Sequence, residues 1–97
     1  MTYFRNAHVT TRLSPHGVNE LICRVPFSPE FRDALKVATR FHNWNARAKE
    51  WTCRLADQET VRRLLLEHFG DRICASCFGG RRCRVWAGAA LQQVEEG

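Results

Sequence analysis

The stretch from Arg40 to Leu55, R-F-H-N-W-N-A-R-A-K-E-W-T-C-R-L, constrains the fold more than any other part of this 97-residue chain. Trp44 and Trp51 stand seven residues apart, on either side of a short polar loop. This pattern predicts a β-hairpin with strands over residues 41–44 and 51–55. The two rings then lie near each other across the hairpin, where a cross-strand aromatic pair contributes roughly 0.2 to 1 kcal/mol. Such a pair either only braces the hairpin or also presents its basic loop to a partner.

The segments before the hairpin predict two strands and a helix. Residues 2–13 and 18–27 are rich in strand-forming residues and are separated by the turn sequence S-P-H-G. Ser28 is a typical N-cap, and Pro29 stands where a first-turn proline is tolerated. An apolar stripe at helical spacing follows, which predicts a helix packed on the core.

The segments after the hairpin predict a second helix and a last strand. Asp57 is placed to cap the helix, and Gly70 is placed to end it. The run over residues 83–86 is strand-like, and residues 92–97 form a polar tail that we expect to fray. The predicted order is therefore β-β-α-β-β-α-β, an α+β fold with two helices on one face of a mainly antiparallel sheet.

Length and charge limit the class of protein. A chain of 97 residues forms one domain, residues 1–97, with one modest core. Fifteen Lys and Arg against ten Asp and Glu give a net charge of +5, and only two of the fifteen are Lys. Since guanidinium groups make bidentate contacts to phosphate, the excess of Arg over Lys favours an anionic partner. A net charge of +5 is also compatible with a role in solubility alone. No apolar run has signal or membrane-spanning length, so we expect a cytoplasmic protein.

The run from Val25 to Gly70 resembles the HARP-type module that accompanies annealing helicases and is similar to the damage-recognition domain of some repair helicases. The most specific part of the match is Trp44, Asn45, Lys49 and Trp51 in their spacing. The chain departs from the family pattern at residues 40–43, where the family has Pro-Gly and basic residues, and at residues 45–46, where it has Asp-Pro. The HARP-like core spans residues 18–70, and residues 71–86 add a Cys- and Arg-rich loop with the last strand.

The resemblance implies a DNA-binding module that prefers forks or junctions of single-stranded and duplex DNA. No phosphate-binding loop of the form G-x-x-x-x-G-K-[ST] occurs in this sequence, so on this resemblance we expect a stand-alone module without the helicase motor. The residues expected to contact nucleic acid, DNA rather than RNA, are Arg40, Trp44, Arg47, Lys49, Trp51, Arg54, Arg81, Arg82 and Arg84. The alternative is a small interaction or inhibitor protein of phage or plasmid type that docks on a host protein complex.

The cysteines suggest a metal site. His68, Cys74, Cys77 and Cys83 read H-x5-C-x2-C-x5-C, and a C-x2-C pair lets two thiolates reach one zinc ion. One structural zinc would tie the second helix to the last strand. Alternatively the cysteines are small buried apolar groups, or Cys23 or Cys53 replaces His68 as a ligand. Carboxylates are scattered and no nucleophile motif is present, so we expect no catalysis.

Overall fold

The computed structural model describes residues 4–81 and 83–86. Four strands form one antiparallel sheet in the order β1-β2-β4-β3, which confirms the predicted α+β class. None of the helices in the described part of the chain is long and apolar enough to cross a membrane. In chain order the elements are β1 (His8–Leu13), β2 (Asn19–Arg24), α1 (Pro29–Ala38), β3 (His42–Asn45), β4 (Glu50–Arg54), a 3-10 turn (Leu55–Asp57), α2 (Gln58–Phe69) and α3 (Ala75–Phe78).

The hydrophobic core lies between one face of the sheet and the two long helices. Successive strand residues point to opposite faces, so alternate residues of β1, β2 and β4 meet the helices. The buried side chains that pack together here include Val9, Leu21, Cys23, Trp51 and Cys53 from the strands, and Phe31, Leu35, Val61, Leu65 and Phe69 from the helices. This layer fixes the position of the β3–β4 hairpin against α1.

The opposite face of the sheet carries an ion-pair network around one buried carboxylate. Glu50 is only 1% exposed, and its carboxylate accepts hydrogen bonds from Arg12 Nη2 at 2.6 Å and from Arg24 Nε at 3.1 Å. The Arg24 guanidinium also lies over the ring of Trp86, 4.8 Å from its centroid. A buried carboxylate without such partners would be strongly destabilising, so these two arginines are structural.

Local capping explains where the helices begin. The Ser28 hydroxyl accepts a hydrogen bond from the backbone N–H of Phe31 at 3.1 Å, as predicted for an N-cap. Asp57 occupies the N-cap position of α2, but its side chain makes no capping hydrogen bond. Gly70 is the C-cap residue of α2, as predicted, and it takes a right-handed conformation with φ −52°.

The predicted last strand is not observed, because residues 84–86 form a helical turn instead. A short apolar run cannot be assigned to strand or helix from periodicity alone, and here Cys83 is drawn into a buried cluster rather than into the sheet. A parallel bridge is formed instead by Ile73, which pairs with Ala7, the residue before β1. The polar tail, residues 92–97, lies outside the described residues.

Candidate metal centre and nucleic-acid interface

Three cysteines and a histidine converge at the beginning of β1. The ligand atoms of His8, Cys74, Cys77 and Cys83, here called the metal cluster, all lie within 4.8 Å of one another. His8 Nδ1 is 3.2 Å from the sulfur of Cys83 and 3.8 Å from that of Cys77. The sulfurs of Cys74 and Cys83 are 3.6 Å apart. The arrangement is compatible with a structural metal site.

Backbone pairing brings the histidine to the first cysteine. The N–H of Ala7 donates to the carbonyl of Arg72 at 2.7 Å, and the N–H of Cys74 donates to the carbonyl of Ala7 at 2.9 Å. These two bonds attach residues 72–74 to the beginning of β1. His8, which follows Ala7 and is the first residue of β1, is therefore held beside Cys74.

The loop around α3 brings the other two thiols together. Cys74 precedes α3 and Cys77 lies within it, so one helical turn separates the two sulfurs. Gly80 then takes φ +75°, a left-handed conformation that favours glycine, and the chain returns toward β1 with Cys83. The indole N–H of Trp86 donates to the sulfur of Cys77 at 3.2 Å. Such a hydrogen bond from outside the ligand set orients a metal-binding sulfur.

Burial and hydrogen bonding alter the pKa values in the metal cluster. Burial, and secondarily the charge of Arg24, lowers the pKa of His8, which favours the neutral imidazole that binds metals. Burial raises the pKa of the Cys77 thiol to about 12. Burial also acts to raise the pKa of Cys74, but hydrogen bonds from the backbone of Cys77 and from the Cys83 thiol outweigh it, so this pKa is lowered. Cys74 is thus more easily converted to thiolate than Cys77.

The predicted ligand His68 does not belong to the metal cluster. Its ring packs edge-on against Phe31, with centroids 5.7 Å apart, on the helical side of the core. The three predicted cysteines do meet, and His8 takes the fourth place. Spacing along the sequence could not indicate His8, because it lies 69 residues before Cys77 and reaches it only through the parallel bridge.

Cys23 and Cys53 do not replace His68 either. Both are buried in the sheet on the face that meets the helices. Burial raises the pKa of Cys53 to about 12 and raises that of Cys23 well above its ordinary value. They are the small buried apolar residues that the sequence allowed as one alternative.

The two tryptophans form a cross-strand pair, as their spacing predicts. Trp44 of β3 is directly opposite Trp51 of β4, and the ring centroids are 5.1 Å apart at an angle of 50°. Trp51 is 7% exposed and belongs to the core, whereas Trp44 is 38% exposed. The tryptophan hairpin, residues 42–54, therefore has one ring turned into the protein and one partly open to solvent.

The tip of the tryptophan hairpin is ordered by its own hydrogen bonds. The Asn45 side-chain oxygen accepts from the backbone N–H groups of Arg47 and Ala48, both at 3.0 Å. Lys49 has φ +59°, and its ammonium donates to the carbonyl of Ala46 at 2.9 Å. Lys49 thus helps to close the loop, while the side chain of Arg47 is exposed.

The remaining predicted cationic contacts divide between two places. Arg40 and Arg54 line an open groove of about 620 Å³ beside the hairpin, and the Arg54 guanidinium lies 4.8 Å from the centroid of the Phe41 ring. Arg81 and Arg84 are exposed next to the metal cluster. Arg82 lies outside the described residues.

The hairpin tip and the metal cluster lie at the same end of the strands. His8 pairs with Arg24 and Asn45 pairs with Glu50. Since Cys23 pairs with Trp51, Arg24 and Glu50 are adjacent one step further along the same register. His8 and Asn45 thus stand at the two ends of one row of paired residues that crosses the sheet. They are three strand spacings, or roughly 14 Å, apart. The metal cluster is at the β1 edge, and the tip is at the β3 edge.

Comparison with known proteins gives no relative. The chain matches no protein-family model, no curated protein and no solved structure.

Proposed function

We propose that the chain is a non-catalytic nucleic-acid-binding module that contacts the DNA backbone through the tryptophan hairpin and is closed by one structural zinc ion. The observation that carries the binding proposal is the charge of the hairpin and its surroundings. In the part of the chain that the structure describes, Arg40, Arg47 and Arg54 are exposed and make no ion pair with a carboxylate. Uncompensated guanidinium groups on and beside the hairpin are suited to phosphate oxygens.

The zinc proposal is supported by the distances within the metal cluster. A tetrahedral zinc ion with ordinary bond lengths separates two thiolates by ~3.8 Å and a thiolate from an imidazole nitrogen by ~3.5 Å. The observed separation of 3.6 Å between the sulfurs of Cys74 and Cys83 is close to the first value. His8 Nδ1 lies 3.2 Å from the sulfur of Cys83 and 3.8 Å from that of Cys77, on either side of the second value. Three cysteines with one histidine form a common structural zinc set.

A cysteine nucleophile activated by histidine is the enzymatic alternative for the same atoms. His8 and Cys83 are close enough for proton transfer, but they are only 8% and 7% exposed. A nucleophile must reach its substrate, and here two further thiols crowd the same point. Convergence and burial favour metal binding over catalysis.

The two edges of the sheet suggest how the module meets DNA. Arg47 at the hairpin tip and Arg81 and Arg84 beside the metal cluster are carried by the same end of the sheet. Phosphate contacts of this kind position a protein on nucleic acid without reading sequence. The resemblance to the HARP-type module supports a preference for forked or partly single-stranded DNA.

The binding proposal is tested by fluorescence anisotropy with labelled single-stranded, duplex and forked DNA over a range of salt concentrations. We expect affinity to fall steeply with salt, and Arg47→Glu to weaken binding at least tenfold. Arg63→Glu, an exposed position on α2 away from the hairpin, is the matched control. Absence of salt-sensitive binding by the unaltered protein would refute the proposal and favour docking on a protein partner.

The zinc proposal is tested by measuring metal content per chain. We expect one zinc in the purified protein and in His68→Ala, and loss of that zinc in His8→Ala. Since the two histidines are chemically identical, the pair of variants separates a ligand from a packing residue. A folded protein that neither contains nor takes up zinc would overturn the assignment.

A further inference from the structure

A second feature of the tryptophan hairpin is the groove between it and the beginning of α1. This aromatic groove has a volume of about 300 Å³ and is lined by Phe27, Phe31, Arg32, Lys36, Trp44 and Trp51, among others. Phe31 and Trp51 are buried and form its base, whereas Phe27 is 63% exposed and Trp44 is 38% exposed. The groove therefore offers partly exposed aromatic side chains above a rigid apolar base.

The two charged side chains that line the aromatic groove are both cationic. Arg32 and Lys36 are exposed on α1 one helical turn apart, and no Asp or Glu occurs among the described residues that line the groove. Arg32 does pair with Asp33 at 3.2 Å, but both side chains are largely exposed. A solvent-exposed pair of this kind is weak and is easily exchanged for a phosphate.

We infer that the aromatic groove holds an unpaired nucleobase of single-stranded nucleic acid, with the adjoining phosphate on Lys36 and Arg32. This assignment rests on the proposed function and names the form of nucleic acid that it binds. Exposed aromatic rings beside cations are the combination by which proteins hold single strands, because every base has a face that can stack.

The size and shape of the groove favour a base over a protein segment. Its volume is at the lower end of the range for small-ligand sites, roughly 300 to 1,000 Å³, which suits one planar group better than a helix. A base inside a duplex has both faces covered by its neighbours. Occupation of the aromatic groove therefore selects single strands, gaps and forks against continuous duplex.

The test compares single-stranded DNA with duplex of equal length for the unaltered protein and for Trp44→Leu and Phe27→Leu. Leucine keeps an apolar side chain over the core but removes the aromatic face. Alanine substitution of an aromatic residue that stacks on a base is known to weaken binding. On that scale we expect each variant to weaken single-strand binding by roughly fivefold or more. Duplex binding should change by less than twofold, and Trp44→Phe should restore most of the single-strand affinity.

A second measurement examines the phosphate contact. For a single strand, each lost contact reduces the slope of log affinity against log salt by roughly 0.7. Lys36→Ala should show this reduction, while Arg63→Ala, on the exposed side of α2, should keep the full slope. Circular dichroism of each variant establishes that it is folded.

The outcomes separate the two proposals. If the unaltered protein shows no salt-sensitive binding to any DNA, the proposed function itself fails, and the groove assignment with it. If it binds but Trp44→Leu and Phe27→Leu leave single-strand affinity within twofold, the aromatic groove is not the base site. Equal losses for single-stranded and duplex DNA would also overturn the assignment, because stacking on an unpaired base cannot act on duplex.

Discussion

The tryptophan hairpin and the metal cluster lie at the same end of the sheet but are stabilised in opposite ways. The hairpin is a local structure: Trp44 and Trp51 are seven residues apart, and the hydrogen bonds of Asn45 and Lys49 close the loop between them. The metal cluster joins residues 69 and 75 positions apart, and its thiols carry little apolar area of their own. One region is maintained by side-chain packing, whereas the other brings together four side chains in an arrangement compatible with a structural metal site.

The Glu50 network connects the two regions. Glu50 begins β4 directly after the hairpin loop, and its partner Arg24 lies over Trp86, whose indole binds Cys77. A continuous set of contacts thus runs from the hairpin to the metal cluster.

Removal of zinc should have the largest effect. With free zinc at about a thousand times its dissociation constant, binding stabilises the folded state by roughly 4 kcal/mol, and a strong chelator removes that contribution. Thermal unfolding followed by circular dichroism, with and without chelator, measures it. His68→Ala should respond to chelator like the unaltered protein, and insensitivity of the unaltered protein to chelator would contradict the prediction.

Truncation of the two tryptophans should show unequal effects. Trp51→Ala removes a core side chain, and we expect the free energy of unfolding to fall by about 3 to 5 kcal/mol. Trp44→Ala removes a partly exposed ring from a cross-strand pair, for which we expect a loss of about 1 kcal/mol. Urea unfolding of both variants measures the difference. Equal losses would mean that the hairpin is stabilised by the ring pair rather than by its attachment to the core.

Neutralisation of Glu50 tests the connection between the regions. Glu50→Gln keeps the shape of the side chain but leaves Arg24 and Arg12 without a countercharge, and we expect a loss of about 2 kcal/mol. Asp33→Asn removes the carboxylate of the exposed pair with Arg32 and should change stability by less than about 0.5 kcal/mol. Similar losses in the free energy of unfolding for the two substitutions, measured by urea unfolding, would show that the buried pairing of Glu50 adds nothing to stability.

The pH dependence of stability should report the core thiols. The pKa of Cys53 is raised in the folded protein to about 12, so the unfolded chain loses this proton first as pH rises. The contribution of the protonated Cys53 thiol to the free energy of unfolding is fully present below the pKa that this thiol has in the unfolded chain. About 1 to 2 kcal/mol of this contribution should be lost by pH 10. Unfolding of the zinc-loaded protein at pH 8 and pH 10, compared with Cys53→Ala, measures this effect. An unchanged pH dependence in Cys53→Ala would contradict the assignment to this thiol.

Local patterns in the sequence predicted the elements that depend on neighbouring residues. The Ser28 cap, the apolar stripe of α1 and the tryptophan pair are each decided within a few residues, and the structure contains all three. The strand predicted at residues 83–86 depended on a short apolar run alone and is a helical turn. The end of α2 was predicted correctly from the local glycine, since Gly70 is its C-cap residue.

The sequence by itself determined the α+β class, the hairpin with its two tryptophans, and three of the four residues of the metal cluster. Only the tertiary structure decided that His8 completes that cluster, that Trp44 and Phe27 line one groove with two cations of α1, and that Lys49 bonds to its own loop. The reason is physical. Hydrophobic periodicity and capping act over a few residues, whereas the position of His8 depends on a parallel bridge to a segment more than sixty residues away.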